Sequence, residues 1–333
     1  MKPLKVAIVH NQPAAPGEAN WESSADVLAQ VEAIEAALGE LGYASVRLPF
    51  TRDLAGFVSR LREEKVDLAC NLCESVDEDP LLIGHPAAVL ELLRIPFTGS
   101  SAMALLLSTD KLTVKRLLAA AGLRTPPFFL YEGGELPRQT SLNFPVILKP
   151  RCQDASIGIE QESVLRSSRG LRPRLEEYHA RYGPILVEEY VAGREFNVSL
   201  LGFPKPRVMP LAEIDFSDFP ADLHRIVSYK AKWDESSFEY QHTRRLFPDN
   251  LPETLQRAMR RAARDSFQLF GLRDYARVDL RLDGLGRINI LEVNANPCLS
   301  PDAGFAAAAA RSGMTYTEMV AELLRMAATR MTL

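Results

Sequence analysis

The sequence is short of cysteine, of long apolar runs and of excess positive charge, and each shortage removes a class of protein. Four cysteines in 333 residues are too few for a secreted disulfide framework, so a reducing, cytosolic setting is expected. No apolar stretch approaches the roughly 18 residues of a membrane helix. The 39 basic and 43 acidic residues leave a formal charge of -4. Without a net cationic field, neither nucleic acid nor a membrane surface is an expected partner. Residues 1–11 hold too short an apolar stretch for a signal peptide and no small-residue cleavage site, and they read as a first strand. Glycine-rich fingerprints are absent as well. None follows that strand, which disfavours an ordinary dinucleotide-binding oxidoreductase, and no serine-hydrolase elbow or P-loop occurs anywhere.

What is present is an ordinary globular composition, 47% apolar and 25% charged, long enough for two or three domains. Strand-like Leu4–Val9, a loop over 10–22, and a helix carrying Val27, Val31, Ile34, Leu38 and Leu41 open the chain, with Gly42 placed for a left-handed cap. Strand-like Ala44–Leu48, a helix capped by Asp53 and strand-like Val66–Leu72 follow. This β-α-β-α-β alternation predicts a parallel sheet covered by helices. After about residue 105 the pattern changes. A helix over 110–121, strands at Phe128–Tyr131 and Val146–Lys149, a polar loop over 151–158 and strand-like Ile185–Val187 come next. Alternating Phe196, Val198 and Leu200 predict an antiparallel sheet. Residues 215–250 show no period and read as a long functional loop. A helix over 255–270, a hairpin over 275–294 turning at 283–286, and two helices complete the chain.

The hairpin carries the strongest chemistry. Side chains two apart on a strand share a face, so Arg277 and Asp279 point together, as do Glu292 and Asn294, while Val278, Leu280, Leu291 and Val293 are expected in the core. Asp279 falls near Glu292 across the ladder. Opposed carboxylates repel unless a cation lies between them, and an oxygen-only set suits Mg²⁺. Alternatively, this is a solvated face on which Arg277 pairs with an acid. Lys149 at a strand end and Lys111 at a helix start can each aim a charge at phosphate or simply face water. Glu188-Glu189-Tyr190-Val191 with Glu195 can form a hinge beside a purine and its ribose, or an acidic edge. The lone Cys70-Asn71-Leu72-Cys73 lacks a second ligand pair for zinc and reads as two buried thiols. His179 and His242 lack spaced partners and read as structural or exposed.

Taken in order, Asp110-Lys111, Phe144 to Pro150, Leu186 to Phe196, Ala231-Lys232, Ala276 to Asp279 and Ile290 to Asn294 resemble the ATP-grasp superfamily, in its D-alanine-D-alanine ligase-like branch. The resemblance implies an α/β, three-domain ATP-grasp fold: a parallel α/β domain over 1–105, and two α+β domains over 106–190 and 191–333 clamping ATP. It implies an ATP-dependent carboxylate-amine ligase acting through an acyl phosphate on small-molecule carboxylate and amine substrates, and it is compatible with a homodimer. Lys111, Lys149 and Lys232 would contact phosphates, with Lys232 on a mobile loop. Glu188, Glu189 and Val191 would frame adenine and Glu195 the ribose. Asp279, Glu292 and Asn294 would hold two Mg²⁺ ions, with Mn²⁺ as the alternative. Arg277, Lys232 and Ser156 would serve catalysis, Arg277 by stabilising the tetrahedral intermediate.

Departures from the branch concern substrate recognition. Ala155-Ser156-Ile157-Gly158 stands where the branch has two serines, Trp233 replaces a loop tyrosine, and the amino-terminal Gly-Gly-x-Ser and His-Gly signatures are absent. Asn71 to Ser75 and the loop with Glu22-Ser23-Ser24 stand instead. A Ser-Leu pair that binds the second substrate's carboxylate falls on Ala303 and Gly304, beside Asp302. These changes predict an amino acid or peptide ligase for which D-alanine is not the second substrate. A genuine D-alanine-D-alanine ligase, or a regulatory nucleotide binder with a degenerate centre, is the alternative. The intact Arg277, Asp279, Glu292 and Asn294 set argues against degeneracy.

Overall fold

The computed structural model describes residues 4–18, 21–136 and 142–331. Residues 19 and 20, inside the loop read over 10–22, lie outside the described residues. The expected alternation is present at the amino end: β1 (Lys5–Asn11), α1 (Trp21–Glu40), β2 (Ala44–Phe50), α2 (Leu54–Glu63) and β3 (Leu68–Asn71). Its three strands are parallel, in the order β2-β1-β3. Val27, Val31, Ile34 and Leu38 are buried on one face of α1, and Asp53 caps α2 by accepting from the Gly56 amide at 2.9 Å. Helix α3 (Gly84–Leu92), α4 (Ala102–Thr109) and α5 (Lys111–Ala120) lead out of this sheet.

Next, β4 (Phe128–Tyr131), β5 (Val146–Pro150), β6 (Val164–Leu165), α6 (Leu171–Tyr182) and β7 (Ile185–Glu189) build a four-stranded antiparallel sheet ordered β4-β7-β5-β6. The remaining strands are β8 (Glu195–Leu201), β9 (Arg207–Val208), β10 (Ala212–Asp215) and, after α7 (Tyr229–Trp233) and α8 (Phe238–His242), β11 (Arg244–Leu246). Helix α9 (Glu253–Leu269) then precedes the hairpin β12 (Tyr275–Leu282) and β13 (Ile288–Asn294). They form a second antiparallel sheet ordered β11-β10-β8-β12-β13, with β9 on β8. The run from 215 to 250 is therefore not one loop. Ser228 and Ser237 each cap a helix of five residues, too short to show a helical period, and β11 adds to a sheet edge.

Two further helices, α10 (Gly304–Arg311) and α11 (Tyr316–Ala328), return the chain to its start. Met319, Val320, Leu323 and Leu324 of α11 share a core with Val27, Val31 and Ile34 of α1 and with Val6 and Ile8 of β1. Gly193, between β7 and β8, has φ +152°, and a Cβ there would lie 1.9 Å from the Leu282 carbonyl oxygen. Only glycine permits that approach of the hinge to the hairpin.

Candidate active site

The hairpin register decides which side chains meet. Arg277 pairs with Asn294, Val278 with Val293 and Asp279 with Glu292, after which a bulge shifts the ladder so that Leu280 opposes Ile290. Arg277, Asp279, Glu292 and Asn294 therefore share one face, as the spacing predicts. The core reading of Leu291 is corrected. A bulge inserts one residue into one strand and breaks its alternation. Ile290 takes the buried position and Leu291 is half-buried.

Arg277 holds Asp279 in a fork, Nε to Oδ1 and Nη2 to Oδ2, both at 2.8 Å, and Asn197 Nδ2 donates to Oδ1 at 2.8 Å. Asn294 Oδ1 accepts from the Asn296 amide at 2.8 Å. Glu292 has no hydrogen bond or ion pair to a described residue. Burial pushes its carboxyl up, but Lys111, Arg277, Lys232 and Lys149 together hold it below the usual carboxylate range. A free carboxylate ringed by cations is poised to accept a further positive charge.

The lysines arrive from three elements. Asp110 caps α5 through the Leu112 amide at 3.1 Å and grips Arg151 with two bonds of 2.8 Å, which fixes the helix start beside the loop over 151–158. Lys111, the first helical residue, donates to the Gln153 carbonyl and to Asp154 at 3.4 Å. Lys149, on β5, reaches Glu188 Oε2 at 3.2 Å. Lys232, on α7, is half-buried and has no hydrogen-bond partner among the described residues; burial first and Arg277 second lower its pKa.

Residues 224–233 are docked on the loop over 151–158 and the turn after it. Ala155 (φ +54°) and Ser156 (φ +63°) are consecutive left-handed residues, sparsely populated for side chains other than glycine. Ser156 Oγ donates to the Val227 carbonyl at 2.8 Å, Trp233 Nε1 to the Ala155 carbonyl at 2.9 Å and the Tyr229 amide to the Ile159 carbonyl at 2.8 Å. Tyr229 Oη also lies 3.3 Å from Glu22 Oε2, linking α7 to α1. The segment around Lys232, expected to be a loop, contains the short helix α7, held against the 151–158 loop by these bonds.

The hinge residues separate. Glu188 is 1% exposed and Glu189, its neighbour on the other face of β7, accepts from both the amide and the side chain of Asn143 at 2.8 and 2.9 Å. Glu195 is bound by Arg281 at 2.9 and 2.7 Å, and Arg281 Nη1 also donates to the Val191 carbonyl at 2.8 Å. Sequence reasoning missed Arg281, although it continues the period of two through Arg277 and Asp279. It also missed Lys115, buried on α5 and 3.2 Å from Glu188.

A cavity of about 100 Å³ is lined by Lys232, Arg277, Glu292, Asn294, Asp26 and Glu74 among others, whereas Lys111, Lys149, Glu188 and Glu195 lie outside its lining. Asp26 and Glu74 come from the amino-terminal layer, and Gln30 Nε2 lies 3.5 and 3.1 Å from them. Neither forms an ion pair with a described residue. Burial pushes Glu74 up to about 7, although Gln30 opposes it. Glu74 lies in the Asn71 to Ser75 stretch already set apart from the branch, whereas nothing local in the sequence marks Asp26, 48 positions away. Beyond the cavity, Arg245 on β11 donates to the Asp302 carbonyl at 3.2 Å and lies 3.6 Å from where a Cβ of Gly304 would stand. The thiols of Cys70 and Cys73 are buried and pushed up, Cys70 to about 12, so neither is a reactive thiolate.

The same architecture occurs in the crystal structure of D-alanine--D-alanine ligase from Bacillus anthracis complexed with ATP, with a TM-score of 0.78, coverage of 99% of each chain and 18% identity. The fold is ATP-grasp, and the chain is an ATP-dependent, ADP-forming carbon-nitrogen ligase. Residues 117–325 match the family model "D-ala D-ala ligase C-terminus". The D-alanine--D-alanine ligase of Desulforudis audaxviator is 33% identical over 305 residues, 90% of this chain and 92% of the relative. The uncharacterized protein y4sG of Sinorhizobium fredii is 31% identical over 258 residues, 77% of this chain and 73% of that one. The chain belongs to the D-alanine-D-alanine ligase family, which uses ATP with a divalent metal. Among the described residues no helix is long and apolar enough to cross a membrane.

Proposed function

We propose that this chain joins two amino acids in the cytoplasm, D-alanine to D-alanine being the leading pair. The observation that carries this is the cavity on which Lys232, Arg277 and Glu292 converge, in a chain 33% identical over nine-tenths of its length to a relative named D-alanine--D-alanine ligase. That similarity favours D-alanine over the expectation drawn from Ala303 and Gly304. Arg245 supports it too, because a guanidinium beside Gly304 that forms no ion pair with a described residue can take the role of the absent serine toward a substrate carboxylate.

In this reading residues 1–105, 106–190 and 191–333 are the three domains, and ATP lies between the last two. Glu188, Glu189 and Val191 frame the adenine, and Glu195, held by Arg281, faces the ribose. The oxygen-only donors Asp279, Glu292 and Asn294 fit a hard divalent cation, Glu292 being free to bind it. Two Mg²⁺ ions, or Mn²⁺, held there would neutralise phosphate oxygens. Lys111, Lys149 and Lys232 add positive charge around the phosphates, and Ser156 steadies the loop beneath them. The first amino acid's carboxylate attacks the γ-phosphorus and ADP leaves, giving an acyl phosphate. The second amino acid's amine then attacks the acyl carbon, and phosphate leaves with the bonding pair as the amine loses its proton. Arg277 stabilises the oxyanion that forms between those events. Residues 224–233, docked over the phosphate loop, exclude water from the acyl phosphate.

Incubation with ATP, Mg²⁺ and millimolar D-alanine should release phosphate and yield D-alanyl-D-alanine. Absence of dipeptide, with turnover on another amino acid pair, would overturn D-alanine as substrate. One observation favours such a pair: Asp26 and Glu74, acids on the cavity wall that form no ion pair with a described residue, suit an amino acid bearing an extra positive charge.

A further inference from the structure

Glu188 Oε1 and Thr243 Oγ1 are the buried side-chain atoms of the described residues that lack a hydrogen-bond partner. A buried carboxylate oxygen left unpaired is costly, and its persistence calls for a donor that is not part of the protein. The other oxygen of the same group is crowded. Glu188 Oε2 lies 3.2 Å from Lys149 Nζ on the neighbouring strand and 3.2 Å from Lys115 Nζ.

The two lysines differ in their surroundings. Lys149 is partly open, whereas Lys115 and Glu188 are each only 1% exposed. Lys115 Nζ is fixed from its other side by the carbonyls of Leu291 at 2.8 Å and Ile290 at 3.3 Å, at the bulge of β13. The bulge itself is anchored, since the Ile290 amide donates to the Arg124 carbonyl at 2.8 Å and the Ile290 carbonyl accepts from Thr125 Oγ1 at 2.8 Å. One ammonium with three acceptors, two of them main-chain, has no freedom to move between the carboxylate oxygens. The asymmetry of Glu188 is built in by β13.

We infer that Lys115 is a positioning residue for nucleobase selection: tied to the β13 bulge, it binds Glu188 Oε2 and leaves Oε1 as an acceptor for an amino group on the base. This rests on the reading that Glu188 lies at the adenine. An acceptor at this point favours a purine carrying an exocyclic amine at its six-position, and it repels the carbonyl oxygen that guanine has there. Lys149 can leave Oε2 for a phosphate without releasing the carboxylate, because Lys115 stays. That division explains why a buried acid so close to the phosphate-binding lysines retains its charge.

The test compares ATP and GTP binding by calorimetry for the whole chain and for Lys115→Met, Glu188→Gln and the double variant. Lys115→Met should weaken ATP at least tenfold and lower the ATP-to-GTP affinity ratio at least fivefold, with the KM for the amino acid substrate changed less than twofold. In the Glu188→Gln background the same substitution should change ATP affinity less than threefold. Equal weakening of ATP and GTP, or full effects in both backgrounds, would overturn the inference. Should Lys115→Met fail to fold, the double variant against Glu188→Gln decides by the same threefold criterion, since it buries no unpaired charge. Failure of the unsubstituted chain to bind ATP would instead remove the reading of Glu188, and that outcome is visible before any variant is made.

Discussion

Trp233 donates its indole Nε1 to the main-chain oxygen of Ala155 at 2.9 Å, and this bond joins the helix carrying Lys232 to a loop whose backbone is left-handed at two successive residues. The indole stands where the branch has a tyrosine, yet it still finds a partner on the loop. Replacing it with phenylalanine keeps an aromatic ring and removes the donor. A neutral hydrogen bond contributes about 1 kcal/mol, so Trp233→Phe is expected to raise the KM for ATP about fivefold. Hydrogen exchange across residues 224–233 should quicken in the variant; identical protection would show that the indole does not hold this segment closed.

Glu292 is the one candidate metal ligand with no protein partner among the described residues. Glu292→Gln keeps the shape and removes the charge that Lys111, Arg277, Lys232 and Lys149 surround. Nucleotide should still bind, while turnover falls by at least a hundredfold and is not restored by excess Mg²⁺. Phosphate release at the unsubstituted rate under saturating Mg²⁺ would end the assignment.

Glu74 gives a pH signature. Its pKa in the folded chain, about 7, lies above the ordinary 4.5, with burial as the main cause. A carboxyl raised in this way contributes stability that is complete below 4.5 and is lost as pH rises through about 7. Glu74→Gln has no charge to bury, so without substrate it should match the unsubstituted chain near pH 4.5 and be more stable at pH 8, by about 1 to 3 kcal/mol. Thermal melts at the two pH values check this, and a difference independent of pH would refute it.

Asp110 shows the opposite sign. Burial pushes its carboxyl up, but the Arg151 fork, the Thr113 hydroxyl and the Leu112 amide more than offset this and bring it to about 2. Its contribution is therefore present above pH 3.8 and is lost as pH falls through about 2. Asp110→Ala should cost about 1 to 3 kcal/mol at pH 7 from the lost cap and the freed Arg151. Denaturant titrations should show the gap narrowing between pH 4 and pH 2.

Arg245 can be tested by substrate kinetics. If it takes the carboxylate of the amine donor, Arg245→Ala should raise the KM for that substrate about tenfold or more and leave the KM for ATP within twofold. Parallel changes in both constants would exclude this role.

The sequence by itself determined whatever depends on neighbours along the chain. The helical period from Val27 to Leu38, the Asp53 and Asp110 caps and the alternation that brings Arg277 beside Asp279 are all local rules, and the structure follows them. The 283–286 turn sets the hairpin register, so Asp279 opposite Glu292 was legible too. Tertiary structure decided everything that depends on which distant segments meet. The β13 bulge exchanges Ile290 for Leu291 in the core, and the run from 215 to 250 folds into elements too short to announce themselves by period. Lys115 with Glu188 and Arg281 with Glu195 are ion pairs across 73 and 86 positions, and Asp26 and Glu74, 48 positions apart, both approach Gln30. Each buried charge is tolerated only because the fold supplies its partner or leaves it facing the cavity, and burial of that kind leaves no mark in the order of residues.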